Sequence, residues 1–386
     1  MEYDLVFEGG GAKGILFVGA LQEFEARGHT VGRLMGTSAG AITATLLAAG
    51  YTPGQMKAVV VDRLPNGAPR FSSFMDVPAK FDEVLIKKSL LMMLFQSIDL
   101  PLIPDALEEK VDKRIMDTLM QASAFRQLFS FTEVGGLYSG ELFRLWFREK
   151  LNAGGRLLGT ATFEEFHQKT GKDLSLVASD VTGQQMLILN HLTAPKLPVY
   201  TGVRMSMSIP FVWKEVVWEE GWGRYRNQNI TGHAIVDGGA LSNFPISYLI
   251  DDTDEIRAVM GNQKGSGNVL GLLIDDEIDV PGLPPKTQPV SAEGKKKIDI
   301  DLESRWFVVL QRVGNLINTM MNARDKAAIK THRKNVCHLP AKGVGTVEFD
   351  MSEERIECLI ATGNNAMKKY LEHKERRERA RTARGR

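Results

Sequence analysis

The chain has little cysteine, no long apolar run and almost no net charge, and each shortage excludes a class of protein. Its 386 residues include two cysteines, Cys337 and Cys358, which fit no metal-binding spacing and make a poor disulfide framework, so we expect buried thiols. No window reaches the roughly 18 apolar residues that a membrane-spanning helix needs. The 48 basic and 47 acidic residues nearly cancel, so no overall field selects nucleic acid as a partner.

What remains is the composition of an ordinary globular protein, with 43% hydrophobic and 25% charged residues. The first residues, MEYDLVF, run directly into a strand pattern, without the basic region and apolar stretch of a secretory signal. We therefore predict a cytoplasmic protein, with a peripheral position at a membrane left open.

The first fifty residues alternate between strand and helix patterns. The strand-like YDLVF is followed by a helix pattern that ends at Gly28, and the strand-like RLM by one that ends at Gly50. Such alternation indicates a parallel sheet covered by helices. Further strands are expected at 174–179, 185–190, 233–239 and 269–274, and long helices at about 302–330 and 352–379. We predict an α/β fold, a three-layer α/β/α sandwich with a mostly parallel central sheet.

A glycine-rich turn, GGGAKG, leaves the first strand and presents bare backbone where a helix begins. Gly9, Gly11 and Gly14 match the spacing of a dinucleotide-binding fingerprint, but the second strand does not end in the acidic residue that this fingerprint requires. A P-loop is excluded because Ile15 follows Gly14 where a lysine should stand. A non-hydrolytic, nucleotide-binding regulatory protein remains as an alternative.

The second strand ends in GTSAG, which matches the Gly-x-Ser-x-Gly pattern of a nucleophile elbow. This elbow is a sharp turn from strand to helix, and Gly36 and Gly40 remove the Cβ atoms that would clash around it. Ser38 would then present its hydroxyl above the sheet, beside the positive end of the next helix. In this setting the glycine loop has a purpose, because the backbone N–H groups of Gly10 and Gly11 are the best candidates to bind a developing oxyanion.

A serine nucleophile needs a base, and the sequence favours a carboxylate. Asp237 ends an apolar strand in IVDGGALSNFP, and Gly238 and Gly239 clear space around it. A carboxylate there could accept the proton of Ser38 directly, as a catalytic dyad. The seven histidines share no signature with the elbow, and we expect His233 to be a strand or loop residue, not a third catalytic member.

Together these motifs resemble those of the patatin-like phospholipase family, in the family's order. GGGAKG is similar to its oxyanion motif, GTSAG to its nucleophile elbow and DGG to its aspartate motif, and the likeness covers about residues 4–250. The resemblance implies that Ser38 is the nucleophile, Asp237 the base and the backbone of Gly9 to Gly11 the oxyanion hole. Lys13 stands where the family more often has arginine. It keeps the positive charge but lacks the planar guanidinium group that can form two parallel hydrogen bonds.

The resemblance also implies an activity. We expect a lipid acyl hydrolase of phospholipase A type that cleaves carboxylic ester bonds of membrane phospholipids or lysophospholipids, without a metal or an organic cofactor. Its partners would be the lipid substrate, a peripheral membrane surface and an activator of unidentified kind. A small-ester hydrolase or acyltransferase with the same dyad remains an alternative. The expected organisation is a catalytic core over 1–250 and a C-terminal strand and helical extension over 251–386, packed on the core.

Four further segments are singled out by composition. The apolar insertion near 81–104 is as consistent with buried core as with a membrane-facing lid. The acidic runs 251–255 and 275–279 lack the spacing of a calcium-binding loop, so we expect solvated loops. The basic tail, 368–386, holds nine Lys/Arg and three Glu, and is either a solvated helix end or a segment that adsorbs to anionic lipid.

Overall fold

The computed structural model describes residues 1–78, 80–96, 114–262, 265–285 and 325–384. Its strands are β1 (Glu2–Phe7), β2 (Thr30–Thr37), β3 (Gly136–Tyr138), β4 (Leu174–Asp180), β5 (Gln185–Leu189), β6 (Phe211–Trp213), β7 (Val216–Val217), β8 (Ala234–Asp237), β9 (Val269–Asp279) and β10 (Val336–Lys342). Its helices are α1 (Ile15–Ala26), α2 (Ala39–Ala48), α3 (Pro53–Val60), α4 (Glu83–Lys87), α5 (Leu90–Gln96), α6 (Ser123–Val134), α7 (Glu141–Asn152), α8 (Phe163–Thr170), α9 (Val199–Ser206), α10 (Ser247–Ile250), α11 (Asp254–Met260) and α12 (Glu353–Arg384). Further helical residues lie at 114–119 and 325–331.

An eight-stranded sheet forms the centre of the fold, in the order β10–β9–β1–β2–β4–β8–β7, with β5 also paired to β4. The pairs β9–β10, β1–β9, β1–β2 and β2–β4 are parallel. The pairs that β4 forms with β5 and β8, and the pair β7–β8, are antiparallel. Because β1 and β2 are parallel neighbours, the glycine loop and the elbow that follow them leave the same edge of the sheet.

Side chains alternate between two hydrophobic clusters, one on each face of the sheet. In β1, Leu5 and Phe7 pack into the larger cluster with residues of α1, α2 and α12, whereas Val6 packs into the smaller cluster. The smaller cluster also contains Leu249 of α10 and Val259 of α11. Helices therefore cover both faces, and the predicted three-layer α/β/α sandwich with a mostly parallel sheet is confirmed.

Strands and helices from the C-terminal third are built into this core. β9 lies between β1 and β10 in the sheet, and α12 packs along α1. A Cβ on Gly19 would lie 1.8 Å from the carbonyl oxygen of Ile360, and a Cβ on Gly363 would lie 2.0 Å from that of Leu16. The two helices therefore approach each other backbone to backbone, which larger residues at these glycines would prevent.

Several sequence-based expectations differ from the structure. The run 275–279 is the end of β9 and not a loop; its backbone stays extended because it pairs with β10. Cys337 is buried, and burial raises the pKa of its thiol to about 12, whereas Cys358 is only half-buried. Of the long helix predicted over 302–330, only 325–330 lies within the described residues.

The described part of the insertion contains two short helices, α4 and α5. In α5, Leu90, Met93 and Leu94 are exposed whereas Met92 is buried, so its apolar residues face both the core and solvent. Residues 97–104 of the predicted insertion lie outside the described part of the chain. In that described part, no helix combines the length and the apolarity that crossing a membrane requires.

Candidate active site

Ser38 lies at the sharp turn between β2 and α2. Its φ of 53° and ψ of −119° lie in a region that non-glycine residues rarely occupy, and such strain is typical of a nucleophile elbow. Its side chain does not cap α2. The backbone N–H of Ser38 instead donates to Ser206 Oγ at 3.0 Å, and Ser206 donates to the carbonyl oxygen of Val177. The turn is held through the backbone of Ser38 and the side chain of Ser206, which leaves the Ser38 hydroxyl available for chemistry.

Three glycines permit the close approach of this turn to its neighbours. A Cβ on Gly36 would lie 2.2 Å from the carbonyl oxygen of Gly40, and a Cβ on Gly40 would lie 2.2 Å from that of Phe7. Since both contacts involve backbone atoms, neither can be relieved by a side-chain movement. A Cβ on Gly14 would meet the Ala39 side chain at 2.8 Å. The elbow, β1 and the start of α1 are therefore packed too tightly for larger residues.

Asp237, the last residue of β8, lies beside Ser38 and is buried. Its Oδ1 accepts the backbone N–H of Gly239 at 2.8 Å, while Oδ2 has no partner of ordinary geometry among the described residues. Burial raises the pKa of the Asp237 carboxyl to about 7, and hydrogen bonding to the Ser38 side chain and the Gly239 N–H counteracts part of this rise. The Ser38 contact is looser than an ordinary hydrogen bond. Gly238 lets β8 end here, because its Cβ would lie 2.4 Å from the Val177 carbonyl oxygen.

The glycine loop lies against the elbow at the end of β1. A Cβ on Gly9 would lie 3.1 Å from the Cβ of Ser38. The N–H of Gly9 is already engaged, since it donates to the carbonyl oxygen of Asn243 at 3.1 Å. The N–H groups of Gly10 and Gly11 donate to no group in the part of the chain that the structure describes. Of the three glycines, Gly10 and Gly11 therefore offer the unoccupied donors.

Residues from the C-terminal third anchor the same loop. Gly11 has a φ of 56°, and its Cβ would lie 2.1 Å from the carbonyl oxygen of Thr346, so glycine is required there. The N–H of Ala12 donates to that same oxygen at 2.8 Å. The buried Lys13 places Nζ 2.7 Å from both carboxylate oxygens of Asp276 on β9. Lys13 therefore supports the loop through an ion pair with β9.

A buried polar network that sequence reasoning missed ties the loop to the segment after Asp237. Asn243 Nδ2 donates to Glu8 Oε1 at 3.2 Å and to the carbonyl oxygen of Gly9 at 2.9 Å. Asp325 accepts the backbone N–H groups of Asn243 and its successor at 2.6 and 2.7 Å. Burial raises the pKa of Glu8 well above its usual range, against hydrogen bonds that lower it. No local motif signals this network, because its members are far apart in the sequence.

An apolar pocket opens beside Ser38. Its empty volume is about 1010 Å³, including the opening to solvent. Among its described lining residues, only Ser38, Thr43 and Glu348 carry a hydroxyl or carboxyl group, and none is Lys, Arg or His. Glu348 is paired with Arg355 at 2.8 Å. Side chains from α1, α2, α3, α7 and the start of α12 form the walls, so the C-terminal third helps to shape the pocket.

The histidines lie away from the pocket beside Ser38. All seven are among the described residues, and none lines the pocket that contains Ser38. His233 precedes β8, and its Nδ1 lies 2.9 Å from Oδ2 of the buried Asp180. This contact holds the His233 ring beside Asp180 at the start of β8, whereas Asp237 lies at the end of that strand.

Comparison with known proteins identifies the family. The family profile described as "Patatin-like phospholipase" matches residues 5–250, and the chain belongs to that family. "Uncharacterized protein YqhO" of Bacillus subtilis is 26% identical over 379 residues, which cover 96% of this chain and 98% of YqhO. "Probable lipid hydrolase 463L" of Invertebrate iridescent virus 6 is 25% identical and covers 64% of this chain and 62% of its own length.

A solved structure of VipD from Legionella pneumophila is similar to this chain. The alignment covers 96% of this chain and 67% of the VipD chain, at 17% identity and a TM-score of 0.45. The family, together with relatives named as lipid hydrolase and triacylglycerol lipase, supports a lipid hydrolase activity. The matched family is the one that the motifs GGGAKG, GTSAG and DGG resemble.

Proposed function

We propose that the protein is a lipid acyl hydrolase of phospholipase A type in which Ser38 and Asp237 form a catalytic dyad. The observation that carries this proposal is the contact between a strained, uncapped serine and a buried carboxyl whose pKa is raised to about 7. A base with such a pKa is largely ionised near pH 7.5 and still binds a proton well. Both properties suit a group that must take up a proton and return it.

The reaction follows from this arrangement. Ser38 Oγ attacks the ester carbonyl carbon while Asp237 Oδ2, the oxygen without a partner, accepts the hydroxyl proton. The carbonyl oxygen becomes an oxyanion, which the N–H groups of Gly10 and Gly11 bind. Asp237 then gives the proton to the departing alcohol oxygen, leaving an acyl-serine. Water attacks this acyl group while Asp237 takes its proton, and Asp237 then returns the proton to Ser38 Oγ as the free fatty acid leaves.

The pocket supports an acyl chain as the group that binds beside Ser38. Its walls are apolar, and its one described carboxylate, Glu348, is paired with Arg355 and therefore does not present an isolated charge. Burial of each methylene of an acyl chain contributes roughly 0.8 kcal/mol. Nucleotide phosphates would find no basic side chain among the described lining residues, which disfavours the nucleotide-binding alternative.

The decisive experiment is lipid analysis of phospholipid vesicles treated with wild type and with Ser38→Ala. We expect wild type to release fatty acids and lysophospholipids, and Ser38→Ala to release neither. A matched control is Ser72→Ala, which removes a hydroxyl bonded to the backbone of Pro69 and should keep activity. A fluorophosphonate should label wild type at Ser38, because an activated serine attacks phosphorus centres.

The same assay separates the alternatives. Hydrolysis of soluble short-chain esters without action on vesicles would support the small-ester hydrolase. Transfer of the acyl group to an added alcohol in preference to water would support the acyltransferase. Labelling that persists in Ser38→Ala would contradict the choice of nucleophile.

A further inference from the structure

Three potential metal ligands meet at the edge of the sheet opposite Ser38. His167 lies in the last turn of α8, Asp173 directly precedes β4, and His191 follows β5. β4 runs parallel to β2, and Ser38 follows the C-terminal end of β2. Asp173, at the N-terminal end of β4, is therefore remote from the dyad. No step proposed for ester hydrolysis uses these side chains.

The separations of the three side chains fit a small tetrahedral cation. Nδ1 of His167 and Nδ1 of His191 lie 3.4 Å and 3.7 Å from the same oxygen, Asp173 Oδ1. The three potential ligand atoms all lie within 4.8 Å of one another. Ligands placed 2.0–2.1 Å from a tetrahedral Zn²⁺ are about 3.4 Å apart. Side-chain adjustments that include the rotation of one imidazole ring would bring all three atoms to binding distance.

The relative orientation of the two imidazole rings sets one condition on metal binding. The rings of His167 and His191 stack in parallel, with centroids 3.9 Å apart and an interplanar angle of 4°. An imidazole binds a metal ion in the plane of its ring, so one ring must turn about its Cβ–Cγ bond before both Nδ1 atoms can bind the same ion. Asp173 Oδ1 is shielded from solvent and has no hydrogen-bond partner of ordinary geometry among the described residues. A buried oxygen without a donor is costly, and a bound cation would remove that cost.

Hydrogen bonds hold the backbone next to His191 and Asp173. Asn190 Oδ1 accepts the N–H groups of Leu192 and Thr193 at 2.9 and 3.0 Å, which fixes the turn that carries His191. Asn190 Nδ2 donates to the carbonyl oxygen of Val259 at 2.9 Å. The backbone carbonyl of Asp173 accepts the N–H of Leu34 at 2.8 Å. A metal site benefits from such rigid supports, because its ligands are then held near their binding geometry before the ion arrives.

We propose that His167, Asp173 and His191 bind a divalent transition-metal ion such as Zn²⁺ and so cross-link α8, β4 and the turn after β5. Two imidazoles and one carboxylate form a ligand set that zinc uses, with a fourth position open to water. Nδ1 of His167 lies 3.1 Å from the carbonyl oxygen of Lys172 and donates a hydrogen bond to it. Metal binding at Nδ1 breaks this hydrogen bond and moves the proton to Nε2, so the neutral imidazole binds the ion in its other tautomer.

The test uses tag-free, full-length protein that has been stripped with EDTA and is titrated with ZnCl₂ and, separately, with CoCl₂. Wild type should take up one equivalent of Zn²⁺ saturably, with a melting temperature that rises with zinc concentration. Bound Co²⁺ should give the visible absorption of a tetrahedral site. These measurements on wild type do not depend on the folding of any variant. Affinity should fall at lower pH because protons compete for the imidazoles.

Variants assign the site. Asp173→Asn and His191→Asn should each weaken zinc binding at least about 100-fold, since the loss of partners that only orient metal ligands already costs 10–100-fold. His338→Asn is the matched control: His338 Nδ1 lies 2.7 Å from Asp275 Oδ2, a second His–Asp pair. This variant should bind zinc as wild type does. Absence of saturable binding in wild type, or equal binding by Asp173→Asn, would overturn the proposal and leave a stacked His–Asp ion pair.

Discussion

Asn243 and Gly9 are joined by two hydrogen bonds of opposite direction. The N–H of Gly9 donates to the carbonyl oxygen of Asn243 at 3.1 Å, and Asn243 Nδ2 donates to the carbonyl oxygen of Gly9 at 2.9 Å. Gly9 directly precedes the proposed oxyanion donors, and Asn243 follows the turn that begins at Asp237. This pair therefore ties the glycine loop to the segment that follows Asp237, the proposed base.

Replacing Asn243 by alanine should lower kcat about 10- to 100-fold with little change in KM, because a small displacement of the donors weakens interactions made in the transition state. Asn268→Ala is the control: its Nδ2 donates to the carbonyl oxygen of Glu2 at 3.3 Å on the surface. Steady-state kinetics on a soluble ester, with circular dichroism to verify folding, measures the effect. Wild-type kcat in a folded Asn243→Ala protein would show that the pair does not position the site.

Gly11 permits a direct test of the proposed oxyanion loop. Its φ of 56° lies in the left-handed region, and a Cβ there would lie 2.1 Å from the carbonyl oxygen of Thr346, a backbone contact that no side-chain movement can relieve. Gly11→Ala should therefore displace the loop and lower kcat by about 10²–10³, the cost of losing one oxyanion donor. Gly28→Ala is the control, because Gly28 also has a positive φ, of 70°, but a Cβ there would meet no atom within 4 Å. An unchanged kcat in Gly11→Ala would place the oxyanion donors elsewhere.

The pH dependence of hydrolysis follows from Asp237. A protonated carboxyl cannot accept the proton of Ser38, so kcat/KM should rise with pH and level off above an apparent pKa of about 7. Asp237→Asn should abolish turnover, whereas each of the seven single His→Ala variants should keep most of it. Loss of activity in a folded His233→Ala protein would indicate a triad instead of a dyad.

The same carboxyl predicts a pH-dependent change in stability. Its pKa is about 7 in the folded protein and about 3.8 when exposed, so the folded state holds the proton more tightly. Stability is therefore full below about pH 4 and is lost as pH rises through 7. Asp237→Asn removes this loss and should be more stable than wild type at pH 8, by at most roughly 4 kcal/mol, but not at pH 4. Urea unfolding at both pH values measures the difference, and equal stabilities at pH 8 would contradict the raised pKa.

The elbow could be predicted from the sequence because its geometry is local. Gly36, Ser38 and Gly40 lie within five residues, and the steric demand of the turn is met by the glycines themselves. The network of Glu8 and Asn243 could not be predicted in this way. Glutamate and asparagine are common on surfaces, and only the fold brings these two together with the glycine loop.

The C-terminal third shows a second limit. β10 has the sequence VCHLPAK, in which a proline and polar residues obscure the strand pattern. The strand forms because β9 provides a parallel partner, so the tertiary context overrides the local signal. The acidic end of β9, 275–279, is a strand for the same reason, although its sequence alone predicts a solvated loop. Partners distant in sequence, such as Lys13 for Asp276, determine its conformation.

The basic tail, 368–386, is predicted to adsorb to anionic membranes. Its contacts indicate which of its residues can be deleted without disturbing the fold. Lys374 Nζ donates to the hydroxyl of Tyr3 at 3.0 Å, and Glu375 pairs with Arg27 at 3.1 Å, so both belong to the fold. Residues 376–380 are exposed on α12. Deletion of 376–386 therefore removes six arginines and one glutamate without removing the Lys374 and Glu375 contacts.

Each basic residue near an anionic membrane contributes roughly 1 kcal/mol to adsorption, and salt screens this attraction over about 10 Å. The deletion variant should therefore bind anionic vesicles more weakly at low salt and hydrolyse their lipids more slowly. Its rate on a soluble short-chain ester should equal that of wild type, since the dyad and the pocket are intact. Replacement of the same arginines by glutamine keeps the helix length and should reproduce the loss. Vesicle sedimentation measures the binding, and equal binding by the truncated and full-length proteins at low salt would leave the tail as a solvated helix end.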